Sequence, residues 1–264
     1  MQFPAKRIPH FRFLTASIRA GLFGALALLV SACATKPPAS DPIAVAAYEE
    51  ANDPLEPLNR TLFKVDQGLD QVLVRPVIKV YRFVVPRQGR KGLDNFVNNA
   101  RSPITFINDV LQGEFKRAGT TLGRLVVNTG MGFFGFFDVG TPLGLEHHTE
   151  DFGQTLAVWG LGDGPYVYVP LLGPSTARDG FGFGVDAFVT DPLAWYSRGD
   201  GAMGWVTWAN FGTTYLTTKD GVMDPLDELK KSSLDYYAAL RSSYRQIRAS
   251  EIRNGAPPPM EDFE

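Results

Sequence analysis

The chain has 264 residues, a formal net charge of −2 and a single cysteine. No basic excess marks it for nucleic acid, and one cysteine excludes a disulfide within the chain. A chain of this length buries roughly 70% or more of its surface on folding, and one domain is the simplest count.

The first 32 residues read as a targeting segment. Lys6, Arg7, Arg12 and Arg19 make a basic start, and no acidic residue precedes Asp41. The apolar run Ala20–Val30 that follows is too short for a permanent membrane helix, which needs about 20 residues. It ends in Val30-Ser31-Ala32-Cys33, the arrangement of a bacterial lipoprotein signal, in which cleavage before Cys33 frees a thiol and an amine for acylation. Several acyl chains anchor a protein stably where one is marginal. Ala34, not Asp, follows the cysteine, which favours the outer membrane. The remaining chain, 33–264, carries 22 basic and 28 acidic residues, a net charge of −6.

Residues 34–52 are small and Pro-containing and read as a coil tether. Asp53-Pro54-Leu55-Glu56 is a helix-start signal: a capping Asp, Pro at the first helical position and Glu three residues after the cap. Pro57 removes a donor in the first turn, so the start can slide to Glu56/Pro57. Leu58, Leu62, Val65, Leu69, Val72 and Leu73 then recur at helical spacing. Further helices are predicted near 76–85, 88–100, 103–112 (Ser102 as cap, Pro103 first), 114–129, 150–159, 175–189 and 203–218. Asp224-Pro225-Leu226-Asp227 repeats the start device and opens a predicted helix over 225–253. Asp191-Pro192-Leu193 is a third copy. Tyr166-Val167-Tyr168-Val169 is the one short strand candidate. The tail 255–264 reads as acidic and disordered. After Cys33 no run of 18 apolar residues occurs, so no standard membrane-crossing helix is expected, although the domain can lie within a membrane. The fold class is mainly α, with Gly/Pro-rich loops and at most a short β segment.

The chemistry-bearing motifs are weak. Gly160-Leu161-Gly162-Asp163-Gly164 resembles a phosphate loop, but an extended, Pro-bounded segment follows where a nucleotide site needs a helix N-terminus. His147 and His148 are adjacent, and neighbours on a helix or strand do not face one way, so a shared metal is not expected. Glu150 and Asp151 read as acids at a helix start. Ser175 lacks a nucleophile elbow and reads as a helix cap. Arg178-Asp179 reads as an ion pair or a brace to a loop carbonyl. The most unusual stretch, Gly132 to Asp138, holds Phe133, Phe134, Phe136 and Phe137 around Gly135. It fits either a core segment or an apolar wall or membrane-facing surface, since glycine permits close backbone approach and phenylalanine offers large apolar area. Trp159, Tyr166, Tyr168 and Pro170 carry a similar mixture and join the Phe residues as candidate channel or membrane-facing positions.

Taken in order, the motifs resemble one family. They are Asn52-Asp53-Pro54-Leu55-Glu56 with Asn59-Arg60 and Phe63; Arg75-Pro76 and Tyr81; Asn95-Phe96 with Asn98-Asn99; Leu111-Gln112-Gly113; Glu150 to Leu156; Trp159-Gly160; Gly164-Pro165-Tyr166; Gly173-Pro174-Ser175; and Arg178-Asp179. Over about 52–192 the chain resembles the MlaA (VacJ) family of outer-membrane lipoproteins; 193–264 resembles it less. The resemblance implies a single ring-shaped domain over 53–254, built of amphipathic helices lying in one leaflet of the outer membrane around a channel. It implies a conduit that removes phospholipids from the outer leaflet and passes them to a soluble periplasmic carrier, beside a trimeric porin. It implies no enzyme, cofactor or metal, with Cys33 as the lipid anchor and Asp53, Pro54, Glu56, Asn59, Arg60, Arg178 and Asp179 as structural motif residues. A lipoprotein that braces a porin or the envelope without moving lipid is the alternative.

Overall fold

A computed structural model describes residues 35–192, 195 and 204–258. Cys33 and the end of the tail lie outside them, as does Leu193 of the third Asp-Pro-Leu segment. The described chain is mainly helical: α1 (Pro42–Ala51), α2 (Glu56–Leu69), α3 (Arg75–Val84), α4 (Arg87–Leu111), α5 (Phe115–Gly130), α6 (Phe152–Val158), α7 (Ala177–Val185), α8 (Gly204–Ser232) and α9 (Tyr236–Ile252). One antiparallel hairpin, β1 (Tyr166–Val169) with β2 (Gly173–Thr176), pairs Tyr166 with Thr176 and Val169 with Gly173. No described helix is long and apolar enough to cross a membrane.

Several local signals give way to tertiary packing. Part of the expected coil tether is helix α1, which Asp41 caps by accepting from the Ala44 amide at 3.0 Å. Asp53 is not a helix cap: α2 begins at Glu56, and the buried Asp53 carboxylate is used elsewhere. Pro103 does not separate two helices and Ser102 does not cap one. The Ser102 hydroxyl donates to the Asn98 carbonyl, and α4 runs through Pro103 for 25 residues. A proline costs an interior helical hydrogen bond, but α4 packs along α5 on both sides of it. Asn99 donates to Thr129 Oγ1 at 2.9 Å before the proline, and the Asp109 carboxylate accepts from Thr121 at 2.7 Å after it.

Pro225 behaves likewise. The predicted helix 225–253 is instead the end of α8 and the whole of α9, with the break at 233–235. Asp220 and Asp224 before the proline and Asp227 after it all reach arginines of the α3–α4 segment. Arg82 pairs with Asp220 and Asp224, Arg90 with Asp220, and Arg75 holds Asp227 through two bonds of 2.5 and 3.0 Å. These pairs fix α8 to one neighbour across the kink site. The chain then turns because Asp235 caps α9 and accepts from both terminal nitrogens of Arg60, at 2.6 and 3.2 Å.

Those pairs set an acid limit. The hydrogen bond from Arg75 holds Asp227 below the ordinary carboxylate value of 3.8. Burial pushes Asp220 up, but Arg82 and Arg90 outweigh it and its pKa is also lowered. A carboxylate depressed in the folded state stabilises fully above its unfolded pKa, and that stability is lost as pH falls through the folded one. The unfolding temperature is therefore expected to hold steady down to about pH 5 and fall steeply below about pH 4. Arg75→Gln should start lower and show a shallower acid limb in the same thermal scans; an unchanged limb contradicts the pairing.

Two π-helical turns, Asp70–Val74 and Asp186–Thr190, each end two residues before a proline, Pro76 and Pro192. The first joins α2 to α3 without a loop. π-turns are rare and cluster at functional sites.

Burial in this chain is inverted. The apolar core is small, with Phe63, Tyr166, Tyr168 and Tyr237 in ring-to-ring contact and Leu240 in the same cluster, and among the described residues buried polar side chains outnumber buried apolar ones. The apolar stripe of the first long helix faces outward instead: Val72 is 79% exposed and Phe83 90%, with Leu73, Val77 and Val80 between them and Val65 before them. Trp205, Trp208, Phe181, Phe188, Phe115 and Met131 are exposed too. Exposed apolar surface on this scale marks contact with a membrane or a partner rather than water.

Candidate functional site

The recurring motif residues meet at one place. Asp53 accepts from Asn59 Nδ2 at 2.8 Å, the Tyr237 hydroxyl at 2.6 Å and Arg241 at 2.7 Å. Glu56 holds Arg60 at 2.7 Å, and the Arg60 guanidinium lies 4.5 Å from the Tyr237 ring. Arg178 pairs with its neighbour Asp179 at 3.0 Å and reaches the Leu161 carbonyl at 3.5 Å. Asp179 also receives Tyr244 at 2.6 Å and Arg248 at 3.1 Å, while Arg248 takes Asp151 at 2.6 and 2.7 Å. Burial raises the Asp179 pKa, but Arg248 and Tyr244 more than reverse it, so the acid is charged. Helix α9 is thus clamped by buried ion pairs to three distant segments. Pro54 only turns the chain into α2.

The hairpin hangs on α2. Asn59 donates to the Tyr166 carbonyl at 3.1 Å and accepts from the Tyr168 amide at 3.0 Å, serving strand β1 as a short extra strand would. Asp66 accepts from the Tyr168 hydroxyl at 2.6 Å and the Leu171 amide at 2.7 Å. Of these channel or membrane-facing candidates, Tyr166 is fully buried and Tyr168 3% exposed, so neither faces outward, while Tyr168 also lines a cavity. Their rings are the aromatic core, because alternation puts both on one face of β1 and α9 covers that face. Ser175 is on β2 and caps nothing; Thr176 caps α7 by accepting from the Asp179 amide at 3.2 Å.

Trp159 is 56% exposed and donates to the Leu111 carbonyl at 3.0 Å. Gly160 and Gly164 have φ of 91° and 66°, so the glycine segment turns where a phosphate loop would start a helix. In the phenylalanine loop Phe133, Phe134 and Phe137 are 59–70% exposed, which removes the core reading for those three. Phe136 is half-buried against Gly92, where a Cβ would meet its ring at 2.3 Å. Phe133, Phe134 and Gly135 all have positive φ, and Gly135 lies against Asn99. Asp151 caps α6 as an acid at a helix start, whereas Glu150 is buried and paired with Arg117 at 2.7 Å. His148 contacts Asp109 and Thr121, not His147. Among the described residues no group of three or more His, Cys, Asp or Glu could hold a metal ion.

Between the bent helix α2–α3, the hairpin tip and α8 lie two adjoining cavities that the sequence did not reveal. One, of about 410 Å³, is apolar: Leu73, Val77, Leu171, Phe211, Gly212 and Leu216 line it, with Tyr215. The other, of about 460 Å³, is mixed, with Asp66, Asp70, Arg75, Lys219, Tyr168 and Leu172 among its walls. Val74 and Ile78 line both. The π-turn is their junction, and Pro170-Leu171-Leu172 at the hairpin tip places Leu171 on the apolar cavity and Leu172 on the mixed one. The Tyr215 hydroxyl is buried without a hydrogen-bond partner among the described residues, and burial pushes its pKa up to about 12, so it stays a neutral donor. Lys219 is 5.5 Å from the Tyr215 ring, with no carboxylate recorded beside it among those residues. Only the pairing of helices distant in sequence makes this site.

The comparisons agree with the fold. The model of the MlaA lipoprotein family matches residues 51–251. An Escherichia coli protein named intermembrane phospholipid transport system lipoprotein MlaA is 34% identical over 212 residues, 77% of this chain and 79% of that one. Its Haemophilus influenzae namesake is 29% identical, covering 78% and 81%. An uncharacterised protein of Rickettsia conorii is 30% identical over 77% of this chain and 79% of its own. A solved chain described under "Structural basis for maintenance of bacterial outer membrane lipid asymmetry" is 31% identical and superposes with a TM-score of 0.65 over 76% of this chain and 98% of its own. With family match, helical architecture and outward-facing apolar surface in agreement, this chain belongs to the MlaA lipoprotein family.

Proposed function

We propose that the protein is a non-enzymatic phospholipid conduit, anchored through Cys33 and lying in the inner leaflet of the outer membrane of a Gram-negative bacterium. Phospholipids misplaced in the outer leaflet enter it and pass to a soluble periplasmic carrier, beside a trimeric porin, so that lipid asymmetry is kept. The observation that carries this reading is the joined cavity pair. A phospholipid is apolar at one end and charged at the other, and so are the two compartments that meet at Val74 and Ile78. The exposed belt of Val, Phe and Trp side chains suits a body set among acyl chains, with the amphipathic helices flat in the leaflet and none crossing it. The names of the Escherichia coli and Haemophilus influenzae relatives support the same substrate class.

A photocrosslinking side chain at Leu216 tests this in cells. Phospholipid adducts at Leu216, and none at solvent-side Gln246, are expected; absence of lipid at Leu216 while the protein still maintains the barrier favours an envelope brace. Cys33→Ala is expected to release the protein from the outer membrane and let phospholipid accumulate in the outer leaflet. Fractionation together with outer-leaflet lipid labelling reads both, and a variant with full barrier function contradicts the anchored conduit.

A further inference from the structure

We infer that a third, polar cavity behind the phenylalanine loop is a subsite for a primary ammonium group presented by a lipid headgroup. This inference rests on the conduit reading and adds to it a headgroup preference. The cavity, of about 150 Å³, lies where α4 meets α5 and is walled by Asn95, Asn98, Asn99 and Asn128 with Asp94 and Asp138.

The hydrogen bonds inside it run one way. Asn95 Nδ2 donates to the Phe136 carbonyl at 3.3 Å, Asn98 Nδ2 to Asp94 at 3.3 Å, and Asn99 Nδ2 to Thr129 Oγ1 at 2.9 Å and the Phe134 carbonyl at 3.4 Å. The amide nitrogens are thereby engaged and the oxygens are left over. Asn99 is 8% exposed, and its Oδ1 has no hydrogen-bond partner among the described residues. An unsatisfied buried acceptor costs about 1–3 kcal/mol unless something donates to it. The one guanidinium of the wall, Arg124, spends its nitrogens on Asp138 at 2.9 Å, Thr141 at 3.0 Å and the Leu145 carbonyl. Asn128 Oδ1 is filled by the Val139 and Gly140 amides at 2.9 and 2.8 Å.

What remains is a pocket of acceptors with one uncompensated carboxylate, Asp94, at its rim. His147, the other titratable group facing it, is held below its ordinary value by desolvation and by Arg124, so it adds no positive charge at neutral pH. The net charge of −1 suits a monovalent cation with several N–H donors. A divalent ion needs six to eight oxygens and usually several carboxylates, and Asp138 is already neutralised. The size suits an unsubstituted ammonium. The same segment that closes the cavity, through the Phe134 and Phe136 carbonyls, exposes Phe133, Phe134 and Phe137 on its other side. An acceptor pocket backed by an apolar aromatic surface matches an ethanolamine headgroup with its chains.

Native mass spectrometry of the full chain released from nanodiscs, holding equal amounts of ethanolamine- and glycerol-headgroup phospholipid, tests this. The wild type is expected to retain the ethanolamine lipid about tenfold over the glycerol lipid, the effect of one charge-assisted contact. Asp94→Asn, at the exposed rim, should bring the ratio near one with total bound lipid unchanged. Asn99→Ala should do the same, with thermal unfolding confirming its fold. Equal retention by the wild type overturns the ammonium site and leaves the conduit standing. No lipid on any form overturns the conduit; a thermal shift with free ethanolamine, lost in Asp94→Asn, then decides the site alone. A calcium-dependent shift lost in Asp94→Asn, with lipid selectivity unchanged, overturns the proposal in favour of a metal ion.

Discussion

Replacing Arg248 by alanine is expected to destabilise the protein by about 3–5 kcal/mol, the cost of removing one partner from a buried ion pair. Arg248 is 11% exposed at its side chain and bridges Asp151 at 2.6 Å to Asp179 at 3.1 Å. Asp179 is 7% exposed, so the alanine variant leaves a buried carboxylate with only Arg178 and Tyr244 to stabilise it. The bridge also ties α9 to α6 and α7, its two carboxylates lying 97 and 69 residues before Arg248 in sequence. Gly182 on α7 lies so close to Gly153 on α6 that an added Cβ would fall 2.3 Å from the Gly153 amide nitrogen, so these helices cannot shift to relieve the charge. For a domain of this size the loss corresponds to roughly 10 °C in unfolding temperature. Arg248→Lys should recover only part of it, because one ammonium does not reproduce the guanidinium fork between two carboxylates. An unfolding temperature within about 2 °C of the wild type would falsify the clamp as a main source of stability.

Filling the apolar cavity should do the reverse, abolishing transport while sparing the fold. Gly212 lines that cavity on α8 and has nothing within 4 Å of where its Cβ would be. Gly212→Trp therefore adds an indole to open space between Leu73, Val77 and Leu216 without displacing backbone. Glycine is also the poorest non-proline helix former, so an interior replacement costs α8 nothing in propensity. Phospholipid transfer from labelled outer-membrane vesicles to an acceptor is expected to fall at least about tenfold, an effect of 1.4 kcal/mol or more on the limiting step, with the unfolding temperature unchanged. Gly212→Ala, which leaves most of the volume open, should transfer lipid at close to the wild-type rate. Full activity in the tryptophan variant would place the lipid path elsewhere.

The two results separate two kinds of polar group in this chain. The charges around α9 hold the fold and are consumed by one another. Lys219, Tyr215 and Asn99 keep polar atoms unengaged beside open volume, and these can be spent on a ligand. Buried polar groups are nearly always paired in native structures, so the exceptions are informative. Among the described residues several buried polar atoms lack a partner, and two of them, Asn99 Oδ1 and the Tyr215 hydroxyl, belong to side chains that line cavities.

The order of helices, the strand at Tyr166–Val169, the absence of a membrane-crossing helix among the described residues and the family were all legible in the sequence, because spacing, proline and glycine act locally. So was the stripe Val65, Leu69, Val72 and Leu73. What periodicity cannot say is which medium a stripe faces. It marks two faces of unlike polarity, and only the packed molecule shows the apolar face turned out and the face with Asp66, Ile78 and Tyr81 turned in. Boundaries failed for a related reason. Asp53, Ser102 and Asp224 have the local chemistry of caps, but a cap is worth about 1 kcal/mol, and ion pairs and hydrogen bonds to distant helices outweighed it. The cavities were beyond reach, since Val74, Leu171 and Phe211 become neighbours only when α8 folds back over the bent helix. The sequence by itself determined which segments are helical and amphipathic; the tertiary structure alone decided which carboxylates are consumed in pairs and which volumes remain open, because both depend on contacts between elements that only the folded chain brings together.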